Sequence, residues 1–183
     1  MDDIYHKALN ELHGVLVAVD KAQEANALDL IVASHRIALY GVGREGLQIK
    51  GFAMRLFHLG LDAHVVGDMS VPHLGKGDLL IVSAGPGDFS TVSALIGVAK
   101  AAGAKTLCVT AEPTGAAPRA ADATLTVPAQ TMANDTIAPS SVLPMGSLYE
   151  GALYVLFEVM ILKLRERLAI DAASMRSRHT NLE

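Results

Sequence analysis

Two glycine-rich turns hold the residues best suited to grip an anion. The first, Tyr40-Gly41-Val42-Gly43-Arg44-Glu45-Gly46, follows the apolar run Ile37-Ala38-Leu39-Tyr40. Glycines permit a tight turn from strand to helix, and the free N–H groups at a helix start attract negative charge. The spacing fits G-x-G-x-x-G only with Gly46 as its last member, and Gly67-Asp68 after the second strand comes with a loop and not with the clean continuation a dinucleotide site requires. No G-x-x-x-x-G-K-[ST] is present, which excludes a P-loop. Taken alone, this turn fits a ligand site or a plain βα turn equally well. The second turn, Ser83-Ala84-Gly85-Pro86-Gly87-Asp88-Phe89-Ser90-Thr91, follows Leu79-Leu80-Ile81-Val82. Small and hydroxylated residues leading into a helix make an anion cradle. Asp88 would either face that cradle or cap the helix.

The elements that must position these turns alternate along the chain. Residues 2 to 33 read as one long helix, with Tyr5, Leu9, Leu12, Leu16 and Val19 forming a stripe on one face. Short apolar runs at 37–40, 61–66, 79–82, 106–110 and 124–127 read as five strands. Helical patterns at 45–59, 91–102 and 116–121 lie between them. This alternation implies right-handed βαβ units, a parallel sheet and helices on both faces, with ligands beyond the carboxyl ends of the strands. Residues 128 to 146 lack periodicity and contain Pro128, Pro139 and Pro144, which marks either a functional loop or an element that the pattern conceals. A helix from 147 to 168 is apolar nearly all the way round and should be buried on most sides. A polar tail completes a single domain spanning 1–183.

The chain of 183 residues has 51% apolar residues, only 4% aromatic and no Trp. Its mean hydropathy of +0.34 comes from aliphatic side chains. That excludes disorder and argues against an aromatic platform for nucleic acid. With 15 Lys and Arg against 19 Asp and Glu, the net charge of −4 supplies no basic field for phosphodiesters. The one cysteine, Cys108, lies in an apolar run and reads as a buried inert thiol, so a reducing cytoplasm is expected. The start Met1-Asp2-Asp3 lacks the cationic opening of a signal peptide. The most apolar stretch, 151–162, is interrupted by Glu158 and falls short of the ~20 residues of a membrane span.

The order of motifs resembles the SIS (sugar isomerase) domain, in particular the 6-phospho-3-hexuloisomerase family. The resemblance is carried by Gly41-Val42-Gly43-Arg44, the stretch Ala53-Met54-Arg55-Leu56-Phe57-His58-Leu59-Gly60, and Val66-Gly67-Asp68. It is carried further by Asp78-Leu79-Leu80-Ile81, Leu143-Pro144-Met145-Gly146-Ser147 with Glu150, and the ending Arg178-His179-Thr180-Asn181-Leu182-Glu183. It implies an α/β, three-layer α-β-α fold with a five-stranded, flavodoxin-like parallel sheet. It also implies homotetramers, and isomerisation of a sugar phosphate through an enediol without metal or cofactor. By family position Glu150 would be the base at carbon, and His179 a proton shuttle or sugar-oxygen contact. A tail that long could reach a neighbouring subunit's site. Arg44 would bind phosphate or a sugar hydroxyl, with Gly43, Ser83, Gly85, Gly87, Asp88, Ser90 and Thr91 forming the rest of the substrate cradle. The remaining histidines read as structural or surface groups.

The chain departs from this family where phosphate should bind. The family's loop reads Ser-Gly-Ser-Gly-Glu-Thr and its first turn Gly-Arg-Ser-Gly. Here Gly85 stands at the second serine, Pro86 removes an N–H, Asp88 falls near the threonine, and Glu45 replaces the first-turn serine. A carboxylate 4 Å from phosphate repels each unit charge by about 1 kcal/mol in water and about 4 kcal/mol at an effective dielectric of 20. Three expectations compete: phosphate binding through altered contacts, a shift to an uncharged or cationic sugar derivative, or a binding module without catalysis.

Overall fold

The computed structural model describes residues 3–136 and 140–182. Asp2, where the first helix was expected to begin, Pro139 of the expected loop and Glu183 of the terminal motif lie outside them.

Five parallel strands form the centre: β1 (Arg36–Gly41), β2 (Asp62–Val65), β3 (Leu79–Ser83), β4 (Lys105–Thr110) and β5 (Ala123–Thr126), in the order β2-β1-β3-β4-β5. Successive side chains leave a strand on opposite faces, and β3 is buried along its whole length. Leu79 and Ile81 therefore join one apolar layer, with Ile37, Leu39, Leu107 and Val109. Leu80 and Val82 join the other, with Ala38 and Cys108. The first layer is covered by α2 (Lys21–Ala33), α3 (Gly43–His58) and α6 (Ser147–Arg167), and the second by α4 (Ser90–Ala101) and α5 (Ala116–Ala120). The three-layer α/β architecture expected from the sequence is present.

The N-terminal region corrects that expectation. In place of one helix over 2–33 there are two, α1 (Ile4–Val17) and α2. Asp20 causes the break. Its side chain accepts from the amides of Ala22 at 2.7 Å and Gln23 at 3.0 Å, capping a new helix start, while Val19 is drawn into the core. The stripe splits accordingly: Tyr5 and Leu9 are 75% and 61% exposed, Leu12 and Leu16 are partly buried, and Val19 is buried.

The apolar helix at the end of the chain is likewise two-sided. Leu153, Phe157, Met160 and Leu164 are buried, while Tyr154, Val155, Val159 and Leu162 face outward. A short helix, α7 (Ala172–Ser177), gives the tail a fold of its own and packs on α3. Helices α3 and α6 run side by side in the same direction. Phe52 stacks on Phe157 with centroids 4.4 Å apart, and Arg55 makes a two-pronged pair with Glu158 at 3.0 and 3.1 Å.

Candidate active site

A cavity of about 430 Å³ lies at the carboxyl edge of the sheet, between the turns that follow β1 and β3. This is where the strand order reverses, the expected ligand position in such a sheet. Val42, Gly43, Arg44 and Glu45 come from the first turn; Gly85, Pro86 and Phe89 come from the second. The loop before α6 adds Thr131, Met132, Met145 and Gly146, and α6 itself adds Tyr149 and Glu150.

The first turn is tight for steric reasons. A Cβ on Gly46 would lie 2.4 Å from the Gly41 carbonyl oxygen, and one on Gly41 would lie 2.9 Å from the Gly46 Cα. These two glycines let α3 press against β1. Gly43, at φ 58°, supplies the left-handed turn between them. The G-x-G-x-x-G spacing is thus explained by strand–helix packing.

Arg44 crosses to α6. Its guanidinium pairs with the Glu150 carboxylate and donates to the Ser147 hydroxyl at 2.7 Å. The arginine side chain is 57% exposed and that of Glu150 only 16%. Glu150 lies in the first turn of α6, where the helix end favours a carboxylate, so its charge is held from two directions. The loop that seats α6 is clamped by buried Gln130. Its amide nitrogen donates to the carbonyls of Leu143 and Met145, and its oxygen accepts from the Ser140 and Ser141 amides. From α1, Glu11 accepts from the Ser141 hydroxyl and the Val142 amide. Met145 is held at φ 56°, a strained conformation for a side chain of its size, where the backbone bends into the helix.

Glu45 does not lie on the surface of the turn. It is 6% exposed, and its Oε2 accepts from the Ser83 hydroxyl and from the Gly85 N–H at 2.9 Å. The Tyr149 hydroxyl lies 3.1 Å from the Ser83 oxygen. Residue 85 must be glycine to admit that ring, since a Cβ would come 2.9 Å from Tyr149 Cε1. Burial raises the pKa of Glu45 above the usual carboxylate range. The Ser83 and Gly85 hydrogen bonds oppose that rise, and the nearby Glu150 charge adds to it. Burial also lifts the Tyr149 hydroxyl well above its ordinary value and pushes the Cys108 thiol up to about 12. Cys108 is fully buried, in line with an inert thiol.

Of the residues singled out in the sequence, Gly43, Arg44, Gly85 and Glu150 line this cavity together, with Ser83 beneath it. Gly87, at φ 91°, turns the loop, and its backbone packs against Gly115. Asp88, Ser90 and Thr91 are exposed at the start of α4. Asp88 does not cap that helix; the cap position is Phe89, and the Asp88 carboxylate accepts from the Ser93 hydroxyl at 2.6 Å.

His179 is elsewhere. Its ring lies 5.2 Å from that of His58, beside Arg55, Arg165 and Arg176 in a second hollow of about 620 Å³. His58 ends α3, and at 1.5 Å per residue it is roughly 20 Å down the helix from Glu45. Within one chain, His179 and Glu150 do not meet. Sequence reasoning did not single out Tyr149, Thr131, Met132, Met145 or Phe89 as pocket residues. Only the Pro-Met-Gly motif and the neighbour relation of Tyr149 to Glu150 hinted at them.

The sequence model of the SIS domain matches residues 30–153, about two thirds of the chain. The protein belongs to the SIS domain family. The 3-hexulose-6-phosphate isomerase of Bacillus subtilis (strain 168) is 34% identical to this SIS protein over 175 residues, covering 96% of this chain and 95% of the relative. That of Mycobacterium gastri is 36% identical over 174 residues, covering 95% and 87%. Among solved structures, a Methanococcus jannaschii hypothetical protein, with an inferred molecular function of 3-hexulose-6-phosphate isomerase, superposes with a TM-score of 0.85. It is 28% identical, and 98% of each chain is covered.

Proposed function

We propose that this SIS-family chain is a sugar-phosphate isomerase that moves a ketose carbonyl by one carbon, as in the conversion of 3-hexulose 6-phosphate to fructose 6-phosphate. The relatives' names support the reaction class. The observation that carries the chemistry is Glu150, a carboxylate paired with Arg44 in a pocket of the size that takes a small molecule. Such a reaction needs a base to lift a proton from the carbon beside a carbonyl and to return it to the neighbouring carbon of the enediol. Glu150 serves as that base. Arg44 holds it in place and offers its remaining N–H groups to the substrate. Ser83, Gly85, Gly87, Asp88, Ser90 and Thr91 lie along the turn from β3 into α4, the expected cradle for a phosphate. The buried single cysteine fits a cytoplasmic enzyme.

The outward apolar residues of α1 (Ile4, Tyr5, Leu9) and α6 (Tyr154, Val159, Leu162) support assembly into a homo-oligomer, with a tetramer as the expected form. In such an assembly the tail bearing His179 belongs to a neighbour's site. Light scattering at the monomer mass of 19.2 kDa would end that part of the reading.

The test is formation of fructose 6-phosphate from 3-hexulose 6-phosphate by the wild type and by Glu150→Gln. The variant should lose at least about 1,000-fold in kcat, toward the upper part of what a general base contributes. An unchanged rate would remove Glu150 from the mechanism. One observation favours a second reading, a non-catalytic binder of unphosphorylated carbohydrate. The Ser83 hydroxyl and Gly85 N–H, natural anion donors, are already taken by Glu45. Thermal stabilisation by unphosphorylated sugars alone, with no turnover, would establish it.

A further inference from the structure

The isomerase reading leaves one task unassigned within the chain. As Glu150 takes the carbon proton, an oxygen must gain a proton and its neighbour must lose one. His179 sits at the far end of α3 in its own chain, whereas Glu45 lines the same pocket as Glu150. Both hydrogen bonds to Glu45 end on Oε2. Among the described residues no fully buried side-chain oxygen lacks a partner. Oε1, which accepts from none of them, is therefore the oxygen that opens to the pocket.

We infer that Glu45 is the acid–base residue for the substrate's oxygens: protonated on Oε1, it donates to the carbonyl and then relays the proton between the two adjacent oxygens while Glu150 works at carbon. This rests on the isomerase reading above.

The steps balance. The Glu150 carboxylate takes the proton from the hydroxyl-bearing carbon. The C–H electron pair becomes the C=C bond of the enediol, and the carbonyl π pair moves onto oxygen, which takes the Glu45 proton. The Glu45 carboxylate then removes the proton from the neighbouring hydroxyl, whose O–H pair becomes the new C=O. The C=C pair takes the proton back from Glu150 at the former carbonyl carbon. Both carboxyl groups end as they began.

The surroundings favour a neutral Glu45 at the start. The titratable groups facing it are Glu150 and Tyr149 from α6 and Cys108 from β4, none of them a cation. Arg44, its neighbour on α3, is turned to Glu150. A protonated carboxyl also removes one of the two charges that would repel a phosphorylated substrate. Oε2, as the carbonyl oxygen of the acid, can keep both of its hydrogen bonds.

The test is the pH profile of kcat for the wild type, Glu45→Gln and Ser83→Ala on 3-hexulose 6-phosphate. Wild-type activity should fall as pH rises through the raised pKa of Glu45, because the acid is then lost. Glu45→Gln keeps an acceptor for Ser83 and Gly85 but carries no exchangeable acid. It should lose at least about 100-fold in kcat with little change in KM, and its alkaline limb should vanish. Ser83→Ala removes a bond that stabilises the Glu45 carboxylate, so its alkaline limb should move to higher pH. This second variant gives an answer even if the first folds poorly. Folding is checked by melting at pH 8, where Glu45→Gln, lacking a costly buried carboxylate, should be at least as stable as wild type. A Glu45→Gln rate within about threefold of wild type, or an alkaline limb unmoved in Ser83→Ala, overturns the role of Glu45 and leaves the isomerase reading standing. A wild type inactive on 3-hexulose 6-phosphate and on a wider panel of sugar phosphates overturns the isomerase reading itself, and the role of Glu45 with it.

Discussion

At its first turn α3 delivers Arg44 and Glu45 to a pocket walled largely by carbon. At its last turn it delivers His58 to a hollow shared with His179, Arg165 and Arg176. The front end is acidic and closed on itself: each carboxylate has a partner, and the anion donors Ser83 and Gly85 are occupied. The back end gathers cations and imidazoles from three helices and the tail: Arg55 and His58 from α3, Arg165 from α6, Arg176 from α7, and His179 just beyond it. One helix thus separates a proton-handling site from a set of positive groups by its own length. Reactions on a phosphorylated sugar need both kinds of group, and a single chain places one cation, Arg44, in the front pocket and Arg55, Arg165 and Arg176 at the far end. An oligomer that sets one copy's tail against another's pocket would bring them together.

The seam between α3 and α6 keeps the two ends in register, and breaking it should have the largest effect. Phe157 is buried and stacked on Phe52, beside the Arg55–Glu158 pair and about two helical turns from the Arg44–Glu150 pair. Phe157→Ala should cost about 3–5 kcal/mol of stability, read as a fall in the denaturation midpoint. A loss below about 1 kcal/mol would mean that the seam repacks and that the ends are positioned by something other than this contact.

The fold was largely legible in the sequence because it rests on local patterns. The run Leu79-Leu80-Ile81-Val82 is apolar on both faces because both faces are covered. The missed break at Asp20 is a capping event that an amphipathic stripe conceals, since the spacing of Leu16 and Val19 continues through it. The site was half legible. Glu150 and Arg44 come together as motif residues, but the direction in which Glu45 points is set by Ser83, Gly85 and Tyr149. These are 38 to 104 positions away in the chain, and no spacing rule reports it. A carboxylate read from sequence as facing phosphate is, in the fold, a buried acceptor for backbone and hydroxyl donors. The separation of His179 from Glu150 could not be seen either, because it depends on where α7 folds back.

A smaller effect sharpens the front end. Arg44 is more than half exposed, so solvent screens its charge. Arg44→Ala should raise KM for the sugar phosphate roughly tenfold, equivalent to about 1.4 kcal/mol of binding, with a lesser fall in kcat as Glu150 loses its tether. A drop in kcat at constant KM would show that Arg44 serves only to hold Glu150 and makes no contact with phosphate.

The smallest effect tests whether the two ends ever meet. His179 is exposed, so its loss should leave stability within about 0.5 kcal/mol of wild type. If a neighbour's tail completes each site, His179→Ala should lower kcat/KM severalfold while keeping the alkaline limb assigned to Glu45. Subunit mixing then gives the decisive readout. A mixed assembly of Glu150→Gln and His179→Ala chains contains some sites with an intact Glu150 from one copy and an intact His179 from another. Co-refolding the two should give more activity than the sum of the separate variants. With the site built from one chain alone, every site would carry one defect, and mixing would restore nothing. If His179→Ala instead abolishes the alkaline limb, the histidine is the oxygen-side acid, and the buried carboxyl at the front of α3 is a support for the loop.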